Sequence, residues 1–428
     1  MNTKKFIPCI YLYQKQALEG PDKGGSGLGI DPVELAGFYA DNGADELIVF
    51  DLSEGDKEHE EALDIIKAIC HTSEVPVTGT GNIHRPEDVK KLLYAGCKQA
   101  ALDFSIPSNV DMAKEVSQRF GKEKIASCVE SAAYISCNRE LLETYVSRLI
   151  LVKETILKEC VGCSGVPFIA MLPEMTLNKL LDTLNYIDLC GVTGVFVNKN
   201  AREITALKSL CAENGIQVNT FETEIKWEDF KYNSDGMVPV VVQDYRTNEV
   251  LMVAYMNREA YETTLKTGKM TYFSRSRQAL WLKGETSGHF QYVKSLTADC
   301  DMDTILAKVS QTGNACHTGS YSCFFHEIAK KDYKEENPLT IFQSVLDVIK
   351  DRKVHPKEGS YTNYLFDKGI DKILKKLGEE ATEIVIAAKN PNPNEIKYEI
   401  SDFLYHMMVL MVEKGVTWEE ITKELADR

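Results

Sequence analysis

The feature that most limits how this chain can fold is a rhythm in its first half, where short apolar runs alternate with amphipathic stretches. Phe6-Ile7-Pro8-Cys9-Ile10 is followed by a glycine-rich loop at residues 24–29 and a helical pattern over 32–42. Further strand-like runs lie at 46–50, 75–78, 99–104, 125–129, 149–152, 168–172, 195–197 and 216–220. Buried strands alternating with helices require a parallel sheet joined by right-handed crossovers. About eight such strands in roughly 220 residues suit a closed (β/α)8 barrel better than an open sheet.

Near residue 225 the rhythm changes. Residues 238–244 and 250–255 flank a turn, and strand-like runs follow at 270–274 and 290–293, which reads as a compact, mostly β α+β module. The charged, proline-containing stretch 330–339 reads as a linker. Beyond it the pattern is helical: Ile370, Ile373, Leu374, Leu377, Ala381, Ile384 and Ala388 recur along one face. Asn390-Pro391-Asn392-Pro393 stops that helix, and a second runs over about 395–413. A chain of 428 residues has room for about three domains, and the expected boundaries are 1–224, 225–329 and 340–428, with the linker at 330–339.

Charge narrows the partners. The whole chain has 49 basic and 64 acidic side chains, a net of −15, and residues 1–224 alone carry 22 and 33, a net of −11. An acidic surface repels polyanions, so nucleic acid is excluded as a partner. No run approaches 18 apolar residues, which excludes a helical membrane span, and the N-terminus has no signal-peptide core. Twelve unpatterned cysteines fit a cytoplasmic chain with reduced thiols.

Chemistry concentrates in the middle module. Asp299-Cys300-Asp301-Met302-Asp303 is followed by Cys316-His317-Thr318-Gly319 and Cys323, so three cysteines and a histidine fall within 24 residues. Three protein ligands and an open fourth position make the usual catalytic zinc arrangement. The alternate aspartates offer hard oxygen donors, which suit magnesium. Isolated cysteines are common core residues, and Asp-x-Asp is a common solvated turn. Thiols crowded among carboxylates, however, call for a cation.

These residues resemble phosphoribosyl-AMP cyclohydrolase of histidine biosynthesis. The resemblance runs from about 227 to 326 and includes Tyr272-Phe273-Ser274-Arg275-Ser276-Arg277 and Trp281-Leu282-Lys283-Gly284-Glu285-Thr286-Ser287-Gly288-His289. It implies zinc on Cys300, Cys316 and Cys323, completed across the interface of a homodimer, and magnesium on Asp299, Asp301 and Asp303. A zinc-activated water would attack the electron-poor carbon 6 of the adenine ring. His317 and His289 are candidates for proton transfer. Arg275, Arg277, Trp281, Lys283, Thr286 and Ser287 are the expected substrate contacts, the arginine forks matching phosphate oxygens. The nucleobase-deaminase pattern, His-x-Glu with Pro-Cys-x-x-Cys, is absent.

In the C-terminal module, Glu380 and Glu383 share one helix face and Glu399 and Asp402 repeat that spacing on the next helix. Facing carboxylates can hold magnesium, and the apolar run after Asp402 suggests that the second pair points inward. The pattern resembles the all-α nucleotide pyrophosphohydrolases. Glu358-Gly359-Ser360-Tyr361-Thr362, Lys375-Lys376-Leu377-Gly378 and Ala387-Ala388-Lys389-Asn390 narrow it to phosphoribosyl-ATP pyrophosphatase over about 340–428. Lys376 and Lys389 are the expected substrate contacts, and Glu380 and Glu383 the expected catalytic pair. The product of this reaction, phosphoribosyl-AMP, is the substrate of the middle module, so the two together resemble a bifunctional enzyme of histidine synthesis.

Residues 5–222 resemble the cyclase subunit of imidazole glycerol phosphate synthase and its isomerase relative, both (β/α)8 barrels. The resemblance rests on Phe6-Ile7-Pro8-Cys9-Ile10, Asp31-Pro32-Val33-Glu34-Leu35-Ala36 and Arg85-Pro86-Glu87-Asp88-Val89, and weakens after about 135. Where the family has an acid/base aspartate on the first strand, this chain has Tyr11, a poor base near neutral pH; its fifth strand offers Glu130. Met171-Leu172-Pro173-Glu174-Met175 replaces a glycine-rich phosphate loop with a carboxylate. The expectation is a barrel that does not catalyse the cyclase reaction. The alternatives are a partner-docking module, or a related sugar-phosphate activity drawing on Glu130 and Asp51.

Overall fold

The computed structural model describes residues 3–331, 340–390 and 393–426. Residues 332–339, most of the expected linker, lie outside them. Two compact units are present, residues 1–327 and 328–428.

In the first unit, the parallel strands Leu47–Asp51, Val77–Thr80, Gln99–Asp103, Ile125–Val129, Arg148–Leu151, Phe168–Met171 and Leu189–Thr193 pair in sequence order. An eighth strand is split in two at Ile7-Pro8. Its first part, Lys5–Phe6, pairs with Leu189–Thr193, and its second, Cys9–Tyr13, pairs with Leu47–Asp51. Ile7 N donates to Val192 O at 2.9 Å; Pro8, with no N–H, sits where the ladder changes partner. The ring of strands therefore closes. Small and branched side chains from successive strands (Ile7, Ile48, Ala101, Ala126, Ile150 and Ile169) fill its interior, and a larger apolar layer lies between strands and helices.

Two expected strands are corrected. Residues 195–197 belong to the helix Val195–Lys199, and the last barrel strand is Leu189–Thr193. Gly194 makes the turn at φ +94°, where a Cβ would lie 2.7 Å from Met171 Cγ, so the chain leaves the strand at a position that requires glycine. Residues 216–220 form no strand and contribute one bridge, Lys4 to Val218.

The rest of this unit is a four-stranded sheet. Val238–Asp244 lies between antiparallel Val250–Met256 and parallel Ile305–Gln311, and the latter pairs with Gln291–Ala298. Val238–Asp244 alternates buried and half-buried residues, the period-two pattern of a sheet with one covered face. A hairpin, Thr271–Ser274 with Ala279–Leu282, stands beside it. The sheet rests on the barrel through polar contacts. Asn42 Nδ2 donates to Tyr292 Oη at 3.3 Å and Lys269 Nζ to Arg202 O at 2.5 Å. Lys294 Nζ reaches Glu74 at 2.8 Å and Asp41 at 3.3 Å.

The second unit consists of the helices Ile341–Val354, Tyr361–Lys368, Ile370–Ala387, Pro393–Lys414 and Trp418–Ala426. Its core is Leu346, Ile349, Leu365, Ile373, Met408, Val409 and Met411. Of the expected apolar face of Ile370–Ala387, Ile373 is buried, whereas Leu374 is 47% exposed. No helix among the described residues is long and apolar enough to cross a membrane.

Candidate active sites

The strand Gln291–Ala298 ends in a tight turn that carries Asp299, Cys300, Asp301 and Asp303. Met302 adopts φ +64°, and Asp299 Oδ1 accepts from Asp303 N at 3.0 Å and Thr304 N at 3.1 Å. Burial acts to raise the Asp299 pKa, but these backbone donors outweigh it and hold the carboxyl below its ordinary value. Ligand atoms of the three exposed aspartates lie within 4.8 Å of one another.

The loop bearing Cys316 and Cys323 is pinned to the sheet. Tyr321 Oη donates to Asp244 at 2.8 Å, Ser322 Oγ to Val250 O at 2.8 Å, and Cys323 N to Leu251 O at 2.7 Å. This brings the two thiols near enough to act on each other's ionisation. The Thr318 hydroxyl, 3.1 Å from Cys316 Sγ, heads the contacts that lower the Cys316 pKa, whereas burial and then Cys316 itself raise that of Cys323. Cys300 is exposed on its own turn, and the three cysteines do not form a group within one chain among the described residues.

Lys283, expected among the phosphate contacts, is instead 5% exposed beside the two thiols. Burial lowers its pKa and the cysteines pull it back up. The arginines do line a groove. Arg275 stacks on Tyr255 at 4.0 Å and Arg277 on Trp281 at 5.7 Å, around an open hollow of about 680 Å³. Stacking fixes each guanidinium plane and leaves its N–H edges for phosphate. Thr286 and Ser287 are exposed on the following turn.

His289 and His317 differ in setting. His317 is exposed. His289 Nδ1 lies 2.9 Å from the Asn314 carbonyl, which can only accept, so Nδ1 carries a hydrogen and that bond leaves Nε2 for another partner. The ring lies against Gly313, at φ +60°, where a Cβ would lie 2.7 Å from His289 Cδ2.

In the helical unit, Ile370–Ala387 and Pro393–Lys414 bring Glu380, Glu383 and Glu399 together, with ligand atoms within 4.8 Å of one another. Burial, then Glu383, Glu380 and Asp402, raise the pKa of Glu399. Three carboxylates that push against one another in this way suit a divalent cation. Asp402 is exposed and outside that triplet, contrary to its expected inward placement, although its charge still acts on Glu399. Lys376 Nζ lies 3.7 Å from Glu380 and 3.0 Å from Glu379. Lys389 is exposed beyond the helix end. Sequence reasoning missed two residues. Buried His406 lies 3.7 Å from Glu380, and the Tyr361 hydroxyl is 3.1 Å from His406 Nε2. His406 lies in the apolar run that follows Asp402, where the sequence pattern gives a lone histidine no mark of a polar role.

At the mouth of the barrel, Tyr11 is 2% exposed and stacks on Phe50 at 5.1 Å. Burial drives its phenol far above the ordinary value. The hairpin residue Leu18 packs into the same apolar cluster. Glu130 pairs with Lys153, and exposed Glu174 with Lys199 at 2.7 Å. Asp51 is buried, bound to His59 Nδ1 and Ser53 Oγ, each at 2.6 Å.

Comparison with known proteins follows this division. A model for phosphoribosyl-AMP cyclohydrolase matches residues 252–325, one for phosphoribosyl-ATP pyrophosphohydrolase 342–428, and one for histidine biosynthesis proteins 5–154. The histidine biosynthesis bifunctional protein HisIE of Thermoanaerobacter pseudethanolicus is 55% identical over 210 residues, which are 97% of that protein and 46% of this chain. The chain belongs to the histidine biosynthesis bifunctional protein family. The HisIE proteins of Lactococcus lactis (51% over 197 residues) and Bacillus subtilis (47% over 201) are similar in the same way, at 91% and 95% of their lengths and 46% and 47% of this chain. Like other HisIE family members, it is a bifunctional hydrolase with cyclohydrolase and pyrophosphohydrolase domains. The barrel is extra to the HisIE relatives' length and matches the model for histidine biosynthesis proteins.

Proposed function

We propose that the chain releases pyrophosphate from phosphoribosyl-ATP at a magnesium site on Glu380, Glu383 and Glu399, with Asp402 at its edge. It then opens the adenine ring of the resulting phosphoribosyl-AMP at a zinc site in the cyclohydrolase domain. The observation that carries this reading is the convergence of Cys316 and Cys323 beside buried Lys283, with Cys300 held apart on an exposed turn. Two soft donors meet in one chain, and a third is displayed on its surface. A homodimer in which Cys300 of a second copy joins the pair would complete a three-thiolate site. Exposed Phe324 and Phe325 next to Cys323 supply apolar surface for such a contact.

Zinc there supplies the Lewis acidity that makes water nucleophilic near neutral pH. His289 Nε2 takes the proton that the attacking water gives up, its ring held by Asn314. Attack at carbon 6 breaks the bond to nitrogen 1 of the ring. Arg275 and Arg277 hold substrate phosphate across the groove, and Lys283 offsets thiolate charge. Asp299, Asp301 and Asp303 form a second magnesium site at the same edge. In the helical unit, Lys376 offsets the charge of the glutamates while water attacks the phosphate chain. The barrel is a non-catalytic scaffold on which the cyclohydrolase sheet rests, and the chain works in the cytoplasm with its thiols reduced.

The test is incubation of purified protein with phosphoribosyl-ATP, magnesium and zinc, following pyrophosphate and ring-opened product. Zinc-depleted protein should stall at phosphoribosyl-AMP. Ring opening that continues without zinc overturns the zinc reading.

A further inference from the structure

Cys316 and Cys323 stand on the two arms of one narrow loop, and the arms are held differently. Cys323 N donates to Leu251 O at 2.7 Å, a direct tie to the strand Val250–Met256. The Cys316 arm is laced to the other side of the loop instead. Cys316 N donates to Ser320 O and Ala315 N to Tyr321 O, each at 3.1 Å. Tyr321 is thus bonded to the neighbour of one thiol and lies two residues from the other. It is 36% exposed, so burial alone does not fix its ring. What holds it is the hydroxyl, which donates to Asp244 Oδ2 at 2.8 Å. Asp244 is a firm anchor, 5% exposed at the end of Val238–Asp244. Its other oxygen accepts from Arg246 N at 2.9 Å, Thr247 N at 2.8 Å and Thr247 Oγ1 at 3.2 Å. The two carboxylate oxygens therefore divide the work: Oδ1 closes the turn between two strands, and Oδ2 holds the loop.

We propose that Tyr321, held by Asp244, is a positioning residue that fixes Cys316 relative to Cys323 and so sets the zinc affinity of the cyclohydrolase domain. This rests on the zinc reading given above. A metal site binds tightly when its donors are already in place on rigid elements, and groups that orient ligands from behind typically change metal affinity roughly 10–100-fold when removed. Without the hydroxyl, a buried carboxylate oxygen loses its partner and the ring loses its tie to the sheet. The Cys316 arm is then free to shift against Cys323, which keeps its own bond to Leu251. No ligand is removed, so the effect falls on affinity and not on the number of ions bound at saturation.

The test uses the full-length protein and two readouts, titration with Co²⁺ followed by its thiolate charge-transfer absorption and Zn²⁺ affinity from competition with a chromophoric chelator. Cys316→Ser defines the relevant site as the absorption that it removes. Tyr321→Phe, which deletes one hydroxyl and keeps the ring, should weaken both metals roughly tenfold while the absorption at saturating Co²⁺ stays near that of the parent. Ring opening should then require proportionally more zinc, and pyrophosphate release should not change. Asp244→Asn, which keeps a hydrogen-bonding partner for the hydroxyl, should lose less affinity than Tyr321→Phe. Thr247→Val, which removes a bond to the other oxygen of the same carboxylate, should leave metal affinity unchanged. If Cys316→Ser removes the absorption while Tyr321→Phe leaves both affinities at the parent value, the positioning role is overturned. It is overturned equally if Thr247→Val weakens metal binding as much as Tyr321→Phe, because the loss then reflects a loosened turn. If Cys316→Ser removes no absorption, the zinc reading fails, and the proposal with it.

Discussion

Cys316 is the side chain on which the cyclohydrolase reading turns, because Thr318 lowers its pKa and its charge is felt by both Cys323 and Lys283. Cys316→Ser should abolish ring opening and lower bound zinc, while pyrophosphate release continues and phosphoribosyl-AMP accumulates; product analysis with metal content decides it. Gly313→Ala tests His289 more gently. The new methyl would lie 2.7 Å from the ring, at a backbone φ of +60°, so ring opening should fall about tenfold or more while stability drops by about 1 kcal/mol. Asp51→Asn probes the barrel. Burial alone would raise the Asp51 pKa, but bonds from His59 and Ser53 hold it below 3.8. A depressed carboxylate contributes stability above its unfolded pKa and loses it as pH falls through the folded value. The variant should therefore cost about 1.5–3 kcal/mol at pH 7, with the gap to the parent closing below about pH 3.8 in unfolding experiments. The sequence showed which side chains could bind metal, since clustered cysteines and alternating aspartates are local signals. It could not show that Lys283 is buried or that Asp51 is bonded to His59, because those facts depend on how distant strands and helices pack.

Two facing helices do for the pyrophosphohydrolase what one loop does for the cyclohydrolase. Glu380 and Glu383 lie one turn apart on Ile370–Ala387, and Glu399 reaches them from Pro393–Lys414. Glu383→Gln keeps the shape and removes one charge, so pyrophosphate release should stop while phosphoribosyl-AMP supplied directly is still opened. Loss of both reactions in a folded protein would show that the sites are not separate. These helices were legible from their 3.6-residue apolar period and their proline stop. The inward face was less so, since a stripe containing Leu374 left 47% exposed reads the same whether its cover comes from within the unit or from outside. In the barrel, the apolar residues 195–197 imitated a strand. Only Gly194, with its positive φ, marks the turn into a helix, and a single glycine is a weak signal beside three apolar residues.

At the scale of the whole molecule, the barrel and the cyclohydrolase sheet make one compact unit, a relation that sequence did not suggest because the contacts are polar and scattered along the chain. Asn42, Asp41, Glu74 and Arg202 hold Tyr292, Lys294 and Lys269. Tyr292 and Lys294 lie on the strand Gln291–Ala298, whose far end leads into Asp299 and Cys300. The barrel thus steadies one end of a strand that presents ligands at the other. In the barrel itself, Tyr11 packs with Phe50 and Leu18, and a phenol whose ionisation burial opposes cannot shuttle protons near neutral pH. Residues 225–428 produced alone should therefore keep both hydrolytic activities, because among the described residues both carboxylate clusters and the three cysteines lie within that stretch. Their cyclohydrolase portion should unfold at lower temperature than in the full chain, since Lys269 and Tyr292 lose their barrel partners Arg202 and buried Asn42. The isolated barrel, given ammonia and the cyclase family's substrate, should show no turnover. Cyclase activity there would mean that Asp51, Glu130 or both serve a chemistry that Tyr11 cannot. Loss of ring opening from residues 225–428 with zinc still bound would mean that the barrel holds the ligand-bearing strand in register and not merely in place.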